Sequence, residues 1–358
     1  METKVALLGD LAAFDSGLLG HDWKQGLNNL KEYLKSFDLV IVNLEVPITD
    51  IKSSYVPKGI HIKSNEKIIE LLKYLKIDAV SLSNNHICDF GLKGMEDTIN
   101  ALDAAGIPYF GVNNRVYEKT INNEKLLFCG FCCYSTNGFG YIEKQKNCGV
   151  NALTYKNVEK ALEYAKSVSA IPIVAFHWGD EYTYYPNTNQ IELAHSLADN
   201  FDFVLYGHHT HVMQGIEKYK SSILAYSLGN FYFDDCQSPI NKKLVIKQSE
   251  ENKESFILKL NILDGQISYE TQGILYDNYC IKVVDNDTLL KKISNEICNN
   301  KTIEYRNRSN EMIAKLKAYN LVSHDFKWFL TKLNYHSIGA KIISYYYKHK
   351  YKGAYKKQ

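Results

Sequence analysis

The sequence predicts an α/β fold, and three observations support this prediction. Over about the first 230 residues, short apolar runs alternate with stretches in which apolar residues recur every three or four positions. The runs have the length of buried strands and the stretches have the period of amphipathic helices. Polar clusters follow several of the apolar runs, and an alternating apolar–polar stretch comes later in the chain. We therefore expect a sheet covered by helices.

The predicted strands and helices follow each other in a regular order. The apolar runs expected as strands are KVALLG, DLVIVN, DAVSLS, IPYFGV, KLLFCGFCC, IPIVAF, DFVLYG and SILAYS. The stretches expected as helices are LNNLKEYLKSF, NEKIIELLKYLK, KGMEDTINALDAAG, KNVEKALEYAKSV and NQIELAHSLADN. Gly106 closes the third of these, because glycine commonly follows the last helical residue.

After Asp235 the pattern changes to that of a β-hairpin. Residues 255–276 alternate, and Asp264-Gly265 supplies the turn, so this hairpin is expected to add antiparallel strands at a sheet edge. Residues 285–320 are typical of one or two polar helices. The sequence thus predicts a domain over residues 1–280 and a helical, basic and Tyr-rich C-terminal extension over 281–358.

The C-terminal residues are strongly basic. Residues 326–358 contain eight Lys and no acidic residue, and tyrosines alternate with the lysines. This composition predicts peripheral contact with an anionic membrane surface or with a partner. Two alternatives stay open: a helix packed on the core with a solvated basic end, and a disordered tail.

Composition excludes some classes of function. The formal net charge is +2, and no compact Lys/Arg block occurs in the first 320 residues, which argues against nucleic acid as a partner. The start METKVALLG lacks the features of a secretory signal, and no run approaches a membrane span. We expect a cytoplasmic protein, with a peripheral position at the inner membrane face if the basic end binds lipid. Cys129 and Cys132 have CxxC spacing without a second such pair, so we expect buried small hydrophobic residues.

Clusters of polar residues follow the predicted strands at their carboxyl ends. Their members are Asp10; Asn43 and Glu45; Asn84, Asn85, His86 and Asp89; His177, Asp180 and Glu181; His208, His209 and His211; and Asn230. In open α/β sheets the ligand crevice lies outside these strand ends, so residues far apart in sequence can share one pocket.

The residue types in these clusters indicate a metal site. Carboxylate, carboxamide and imidazole together suit Mn, Fe, Ni or Zn better than Ca. One or two divalent ions fit the set, with Glu45 best placed to bridge two, and such a pair can activate a hydroxide for attack at phosphorus. Taken singly the residues have ordinary alternatives: Asp10 as a turn residue, Asn43 as a hydrogen-bonding support and His177 as a core histidine.

Six ordered motifs carry a resemblance to a known family. They are GD at 9–10, NLEVPIT at 43–49, SNNHICDFG at 83–91, HWGDEY at 177–182, GHHTHVMQ at 207–214 and SLGNFYFD at 227–234. They resemble the motifs of the CapA family of bacterial capsule and poly-γ-glutamate synthesis proteins, which is similar to the calcineurin-like metallophosphoesterases. The resemblance spans about residues 4–235 and implies a four-layer α/β/β/α sandwich of two mixed sheets.

The resemblance also implies roles for individual residues. One metal would be held by Asp10, Glu45 and His211, and a second by Glu45, Asn85, His177 and His209. His86 would donate a proton to the leaving oxygen and Asp89 would orient it. Glu181 and Asn230 are assigned to substrate binding, and His208 is left outside the ligand set.

One position departs from the phosphoesterase pattern. Typical metallophosphoesterases have Asp-x-His at the first motif, whereas Ala12 stands at the third position here, as in CapA-like sequences. The first metal would then lack one imidazole. Water, Asn230 or Asp15 could take its place, or the ion could bind only with substrate, which puts catalysis by two metals in doubt.

These inferences lead to one main functional hypothesis and two alternatives. The main one is a metal-dependent hydrolase of the phosphoesterase kind, acting on a phosphorylated sugar, lipid-linked or polymer intermediate in capsule or other surface-polymer biosynthesis. The first alternative is a component of poly-γ-glutamate synthesis or hydrolysis. The second is a non-catalytic scaffold that binds metal for structure.

Overall fold

Two β-sheets lie face to face in the computed structural model. The structure describes residues 1–14, 23–136, 148–237, 244–285, 287–298, 311, 314 and 333–356. Strands alternate with helices over residues 3–110 and again over 124–208, as the apolar pattern predicts. The predicted four-layer α/β/β/α sandwich of two mixed sheets, with a helical C-terminal extension, is confirmed.

The described elements have the following bounds. The strands are β1 (Thr3–Ala12), β2 (Leu39–Leu44), β3 (Ala79–Ser81), β4 (Tyr109–Phe110), β5 (Tyr117–Ile121), β6 (Glu124–Cys132), β7 (Ile171–His177), β8 (Val204–His208), β9 (Ile216–Tyr219), β10 (Ser222–Ala225), β11 (Asn230–Phe233), β12 (Cys236–Gln237), β13 (Leu244–Ile246), β14 (Glu254–Leu263), β15 (Gln266–Asp277) and β16 (Cys280–Val284). The helices are α1 (Trp23–Leu34), α2 (Lys67–Tyr74), α3 (Gly91–Ala105), α4 (Tyr155–Ser167), α5 (Thr188–Ala198), α6 (Glu250–Lys253), α7 (Asp287–Cys298) and α8 (Tyr335–Lys350).

The first sheet has the strand order β16-β15-β14-β1-β2-β3-β4, and β11 also pairs with β1. Strands β1 to β4 are parallel to each other, while β14, β15 and β16 run antiparallel. The predicted hairpin is β14–β15, and its two turn residues, Asp264 and Gly265, both have positive φ, as a tight hairpin turn requires. β14 pairs with the first half of β1 and β11 with its end, so β1 is central.

The second sheet has the order β5-β6-β7-β8-β10-β9. Its four middle strands are parallel, and β5 and β9 are antiparallel edge strands. The short strands β5, β9, β11 and β16 were not expected from the sequence. They lie outside the long apolar runs, where the pattern gives little signal.

Three hydrophobic clusters separate the four layers. Alternate residues of β1 point to opposite sides: Val5 and Leu7 pack between the sheets, and Ala6 and Leu8 pack under α1, α2 and α3. The outer face of the second sheet packs against α4 and α5. Cys129 belongs to this outer cluster and Cys132 to that of the first sheet; both thiols are buried and free, as predicted.

The C-terminal extension contains the expected helices where it is described. α7 packs through Leu290, Ile293 and Ile297, and α8 inserts Tyr347 into the cluster beside the first sheet. The rest of the helical prediction for residues 285–320 lies largely outside the described residues, and the domain boundary at residue 280 stays a prediction. Among the helices that the structure describes, none is long and apolar enough to cross a membrane.

Candidate metal centre

The predicted site residues lie at the carboxyl ends of parallel strands from both sheets. Asp10 lies near the end of β1, where it pairs with Asn43 of β2. Glu45 directly follows β2, and His177 is the last residue of β7. Gly9 allows this end of β1 to approach the backbone of Gly229, and Gly207 allows β8 to approach that of Tyr226; a side chain at either glycine would clash. Close contact between neighbouring chains thus brings the polar residues together.

We call six of the predicted residues the ligand cluster: Asp10, Glu45, Asn85, His177, His209 and His211. One ligand atom each of Glu45, His177 and His209 lies within 4.8 Å of the others, and the same holds for Asp10, Glu45 and His211. Asn85 joins the first group, because its Oδ1 lies 2.9 Å from His177 Nε2. Glu45 is common to both groups, which is the position predicted for a bridging carboxylate.

Glu45 is the most unusual member of the ligand cluster. Its side chain is fully buried, and neither carboxylate oxygen accepts a hydrogen bond from any described residue. Burial and the neighbouring charge of Asp10 raise the pKa of Glu45 well above its ordinary value. An unpaired carboxylate in such surroundings is costly, and a cation bound between the two groups would remove that cost. The donor set therefore fits a divalent metal.

Two histidines of the ligand cluster, His177 and His209, are in the form that binds metal. Burial lowers the pKa of both His177 and His209 well below the ordinary value; the next cause is the ring of His209 for His177 and the ring of His211 for His209. Both are therefore neutral near pH 7. The Nδ1 atoms of these two rings have no hydrogen-bond partner among the described residues. His177 Nε2 lies 3.5 Å from Glu45 Oε1. Neutral imidazole is the ligand form of histidine.

Asp10 differs from Glu45 because it has several partners. Asn43 donates to its Oδ1 at 2.8 Å, the backbone N–H of His209 donates to its Oδ2, and His208 Nδ1 lies 2.8 Å from Oδ1. Burial alone would raise the pKa of Asp10, but the neighbouring histidines, with His208 foremost, hold it below its ordinary value. Asn43 thus has the supporting role expected of it, and His208 contacts Asp10 from within the buried site.

Asn230 contacts a ligand of the cluster. Its Oδ1 lies 3.0 Å from His211 Nδ1, and its Nδ2 donates to Gln248. A hydrogen bond at Nδ1 leaves the other ring nitrogen of His211 free for metal. Asn230 is thereby placed to orient His211. Ala12 packs in the core and offers no ligand, and Asp15 lies outside the described residues.

The loop after β8 holds two ligands in strained backbone conformations. His209 has φ 90° and His211 has φ 58°, values that residues other than glycine rarely adopt. The hydroxyl of Thr210 between them bonds to Val212 O and to Ser227 Oγ. Such strain persists only where the surroundings fix it, and it is concentrated at functional sites.

Lys58, His86 and Asp89 form a second buried group, which we call the Lys58 triad. Lys58 Nζ donates to Asp89 Oδ1 at 2.6 Å and to Asn85 O at 2.7 Å, and it lies 3.1 Å from His86 Nδ1. Asp89 Oδ2 lies 2.8 Å from His86 Nδ1 and accepts from the N–H of Ile62. Burial and then the charge of Lys58 lower the pKa of His86 to about 4.

Asp89 thus contacts the ring of His86, which the resemblance implies that it orients; no role was predicted for Lys58 from the sequence. Burial would raise the pKa of Asp89, but Lys58 and His86 hold it below its ordinary value. Lys58 lies between Pro57 and Gly59 in a segment without helical or strand period, so no local pattern indicates its burial.

The remaining predicted residues lie around this centre. Glu181 is exposed, and its charge is one of the causes that raise the pKa of Glu45. Asp180 accepts a hydrogen bond from Asn187 at 2.7 Å. Asn84 accepts from the N–H groups of His86 and Ile87 and so shapes the loop that carries the triad.

Comparison with solved structures gives only distant similarities. Sulfate thiohydrolase SoxB from Thermus thermophilus matches with 11% identity and a TM-score of 0.40, over 75% of this chain and 43% of that one. A 5'-nucleotidase from Candida albicans matches with 11% identity and a TM-score of 0.41, over 88% and 57% of the two chains. At these scores neither structure supports a statement about activity.

Comparison with protein sequences identifies the family. The capsule biosynthesis protein CapA of Bacillus anthracis is 31% identical over 66% of this chain and 61% of its own length. The PGA biosynthesis protein CapA of Bacillus subtilis is 30% identical over 59% and 58%. The match thus covers about three fifths of each relative. The profile described as bacterial capsule synthesis protein PGA_cap matches residues 4–235, more than half of the chain. The chain belongs to the bacterial capsule synthesis protein family.

Proposed function

We propose that the protein is a metal-dependent hydrolase of the phosphoesterase kind, acting on a phosphorylated intermediate in the synthesis of capsule or another surface polymer. The observation that carries this proposal is Glu45: a fully buried carboxylate without a described hydrogen-bond donor, shared by two groups of metal-ligating side chains. A site of this kind is costly to the fold without a cation, so its presence supports a function that uses one.

The ligand cluster has enough side chains for one or two divalent ions. Asp10, Glu45 and His211 would hold one, and Glu45, Asn85, His177 and His209 a second. When bound, Mn, Fe, Ni or Zn supplies a Lewis acid that neutralises charge on phosphoryl oxygens and favours deprotonation of water. Asn43 and Asn230 support this arrangement by fixing Asp10 and His211.

The Lys58 triad supplies the proton for the leaving group. With Nδ1 turned to Asp89, His86 keeps Nε2 for the substrate. With a second ring proton at Nε2, His86 would protonate the departing oxygen as water adds to phosphorus and the ester P–O bond breaks, and the proton lost by the attacking water would return to Nε2. A pKa of about 4 leaves His86 neutral near pH 7, and the negative charge of a bound phosphate would raise this pKa and load the acid.

The family context supports the choice of substrate class. The printed names of the two Bacillus relatives refer to capsule and to PGA biosynthesis, and we propose a phosphorylated sugar, lipid-linked or polymer intermediate of such a synthesis as the substrate class. We assign to Glu181, which is exposed and whose charge acts on Glu45, contact with a substrate group outside the metal ligands.

The proposal is tested by assaying purified protein with Mn, Ni or Zn on a panel of phosphomono- and phosphodiesters. We expect Glu45→Ala to lower kcat/KM by at least about 10³-fold with loss of bound metal. His86→Gln is expected to lower kcat by about 10²- to 10⁴-fold while metal content is unchanged. Glu192→Gln, an exposed change on α5, is the matched control. Absence of turnover by the wild type on every ester would contradict the proposal.

A second candidate is a component of poly-γ-glutamate synthesis or hydrolysis, favoured by the name of the Bacillus subtilis relative. Release of glutamate from the γ-linked polymer, lost in Glu45→Ala, would select this candidate over a phosphoesterase. Stoichiometric metal without turnover on esters or polymer would instead select the third possibility raised by the sequence, a metal-binding scaffold.

A further inference from the structure

Helix α8 has an exposed apolar face. Its described residues Tyr335, Ile338, Ile342, Tyr345 and Tyr346 follow each other at spacings that place them on one side of a helix. Each is between 47% and 67% exposed. Among the described residues they form the largest group of exposed large apolar side chains close together in sequence, and such patches mark interaction surfaces.

The charges of α8 indicate what this face binds. Lys341, Lys348 and Lys350 are exposed on the same helix, which contains no acidic residue. Helical spacing places Lys341 and Lys348, seven positions apart, along one border of the apolar face, and Lys350 toward the other. Aromatic and aliphatic side chains bordered by lysines suit the interface of an anionic bilayer, where tyrosines lie at the headgroup level.

A neighbouring side of α8 is attached to the domain. Tyr347 is buried in the cluster beside the first sheet, His336 Nδ1 lies 2.9 Å from Val56 O, and Gly339 packs closely on Pro57. The apolar face is therefore not the packing face of the helix. Val56 and Pro57 directly precede Lys58, so α8 rests on the loop 55–61, which carries Lys58 of the triad.

We propose that the face of α8 formed by Tyr335, Ile338, Ile342, Tyr345 and Tyr346, with its bordering lysines, docks the protein on an anionic lipid surface. The apolar side chains enter the headgroup region and the lysines attract the negative surface. Because α8 is fixed to the loop 55–61, docking holds the candidate metal centre close to the bilayer. This proposal does not depend on the enzymatic one, since binding is measured without turnover.

The test is sedimentation of the full-length protein with vesicles of phosphatidylcholine, alone or with about equal phosphatidylglycerol. We expect binding to the anionic vesicles only, weakened in about 1 M salt, where the Debye length is about 3 Å. Ile342→Ser/Tyr345→Ser should lower the partition coefficient at least about tenfold. Lys341→Gln/Lys348→Gln should lower it about fivefold per lysine at low salt.

Matched changes on α4 serve as controls. Tyr164→Ser and Lys160→Gln/Lys166→Gln alter exposed residues of the same types on another helix, and binding should not change. Thermal unfolding of each variant identifies any that fails to fold. Equal binding to neutral and anionic vesicles, or full binding by the α8 variants, overturns the proposal. So does a concentration-dependent dimer that Ile342→Ser abolishes, which would assign the face to a second copy of the chain.

Discussion

The ligand cluster and the Lys58 triad are neighbouring buried sites that differ in the hydrogen-bond partners of their carboxylates. Both are almost fully buried, and the backbone of Asn85 links them through Lys58. In the triad, the carboxylate of Asp89 has three hydrogen-bond partners: Lys58, His86 and a backbone N–H. In the ligand cluster, Glu45 receives no hydrogen bond from a described residue.

This difference separates two kinds of polar site. A buried ion pair whose hydrogen bonds are all made, such as Lys58 and Asp89, keeps its geometry without a ligand. Removal of one member leaves the other as a buried charge without its counter-charge, which is strongly destabilising. A buried carboxylate without hydrogen-bond partners is stabilised by a bound cation. The triad is thus a positioning device, and the ligand cluster is a binding device.

The largest effect is expected on breaking the triad. Lys58→Met removes the lysine charge from the buried carboxylate of Asp89 and leaves it with His86 and the N–H of Ile62, so the free energy of unfolding should fall by about 3–5 kcal/mol, measured by urea denaturation. Lys35→Met is the matched control: Lys35 is also 2.6 Å from a carboxylate, Glu32, but both are exposed, and the change should be within about 1 kcal/mol. Equal losses of unfolding free energy in the two variants would show that burial does not distinguish the Lys58–Asp89 pair from the exposed Lys35–Glu32 pair.

Metal addition should produce the next largest effect, this time in the ligand cluster. With free Mn or Zn about 100-fold above its Kd, the wild type should gain about 2.7 kcal/mol of stability, seen as a higher Tm than in chelator. Glu45→Gln should lose most of this gain, while Glu192→Gln should keep it. A Tm of the wild type that is insensitive to every divalent metal would show that the ligand cluster is not a binding device.

Asp234 is a third buried carboxyl group, with fewer hydrogen-bond partners than Asp89 but more than Glu45. The N–H of Phe14 and the hydroxyl of Tyr276 bond to it, yet burial raises the pKa of Asp234 to about 7. Between about pH 4 and pH 7 the folded state then binds more protons than the unfolded state. The unfolding free energy should fall as pH rises through this window, by up to about 1.4 kcal/mol per pH unit.

Asp234→Asn should flatten this slope, measured by urea denaturation at several pH values. Asp235→Asn changes an exposed neighbour and should leave the slope as in the wild type. If the two variants and the wild type share one slope, Asp234 is ionised in the folded protein over this pH range. It would then resemble Asp89, whose partners keep it ionised.

Much of the fold and of the site could be predicted because both depend on local patterns. Buried parallel strands are continuous apolar runs, and the residues that follow them, such as Asp10, Glu45 and His177, meet at one rim. Lys58 gave no such signal, because an isolated lysine in an irregular segment is usually exposed. The packing of His336 on Val56 joins residues 280 positions apart, and no local pattern encodes so distant a contact. The positive φ of His209 and His211 likewise follows from the surrounding loop rather than from residue type.

Taken together, the proposed enzymatic function and the proposed docking give the packing of α8 on the loop 55–61 a kinetic consequence. An enzyme held at a bilayer in this way encounters a lipid-linked substrate by lateral diffusion within a two-dimensional film. Its turnover then follows the mole fraction of substrate in that film and declines as inert lipid dilutes it, even when the bulk concentration is constant.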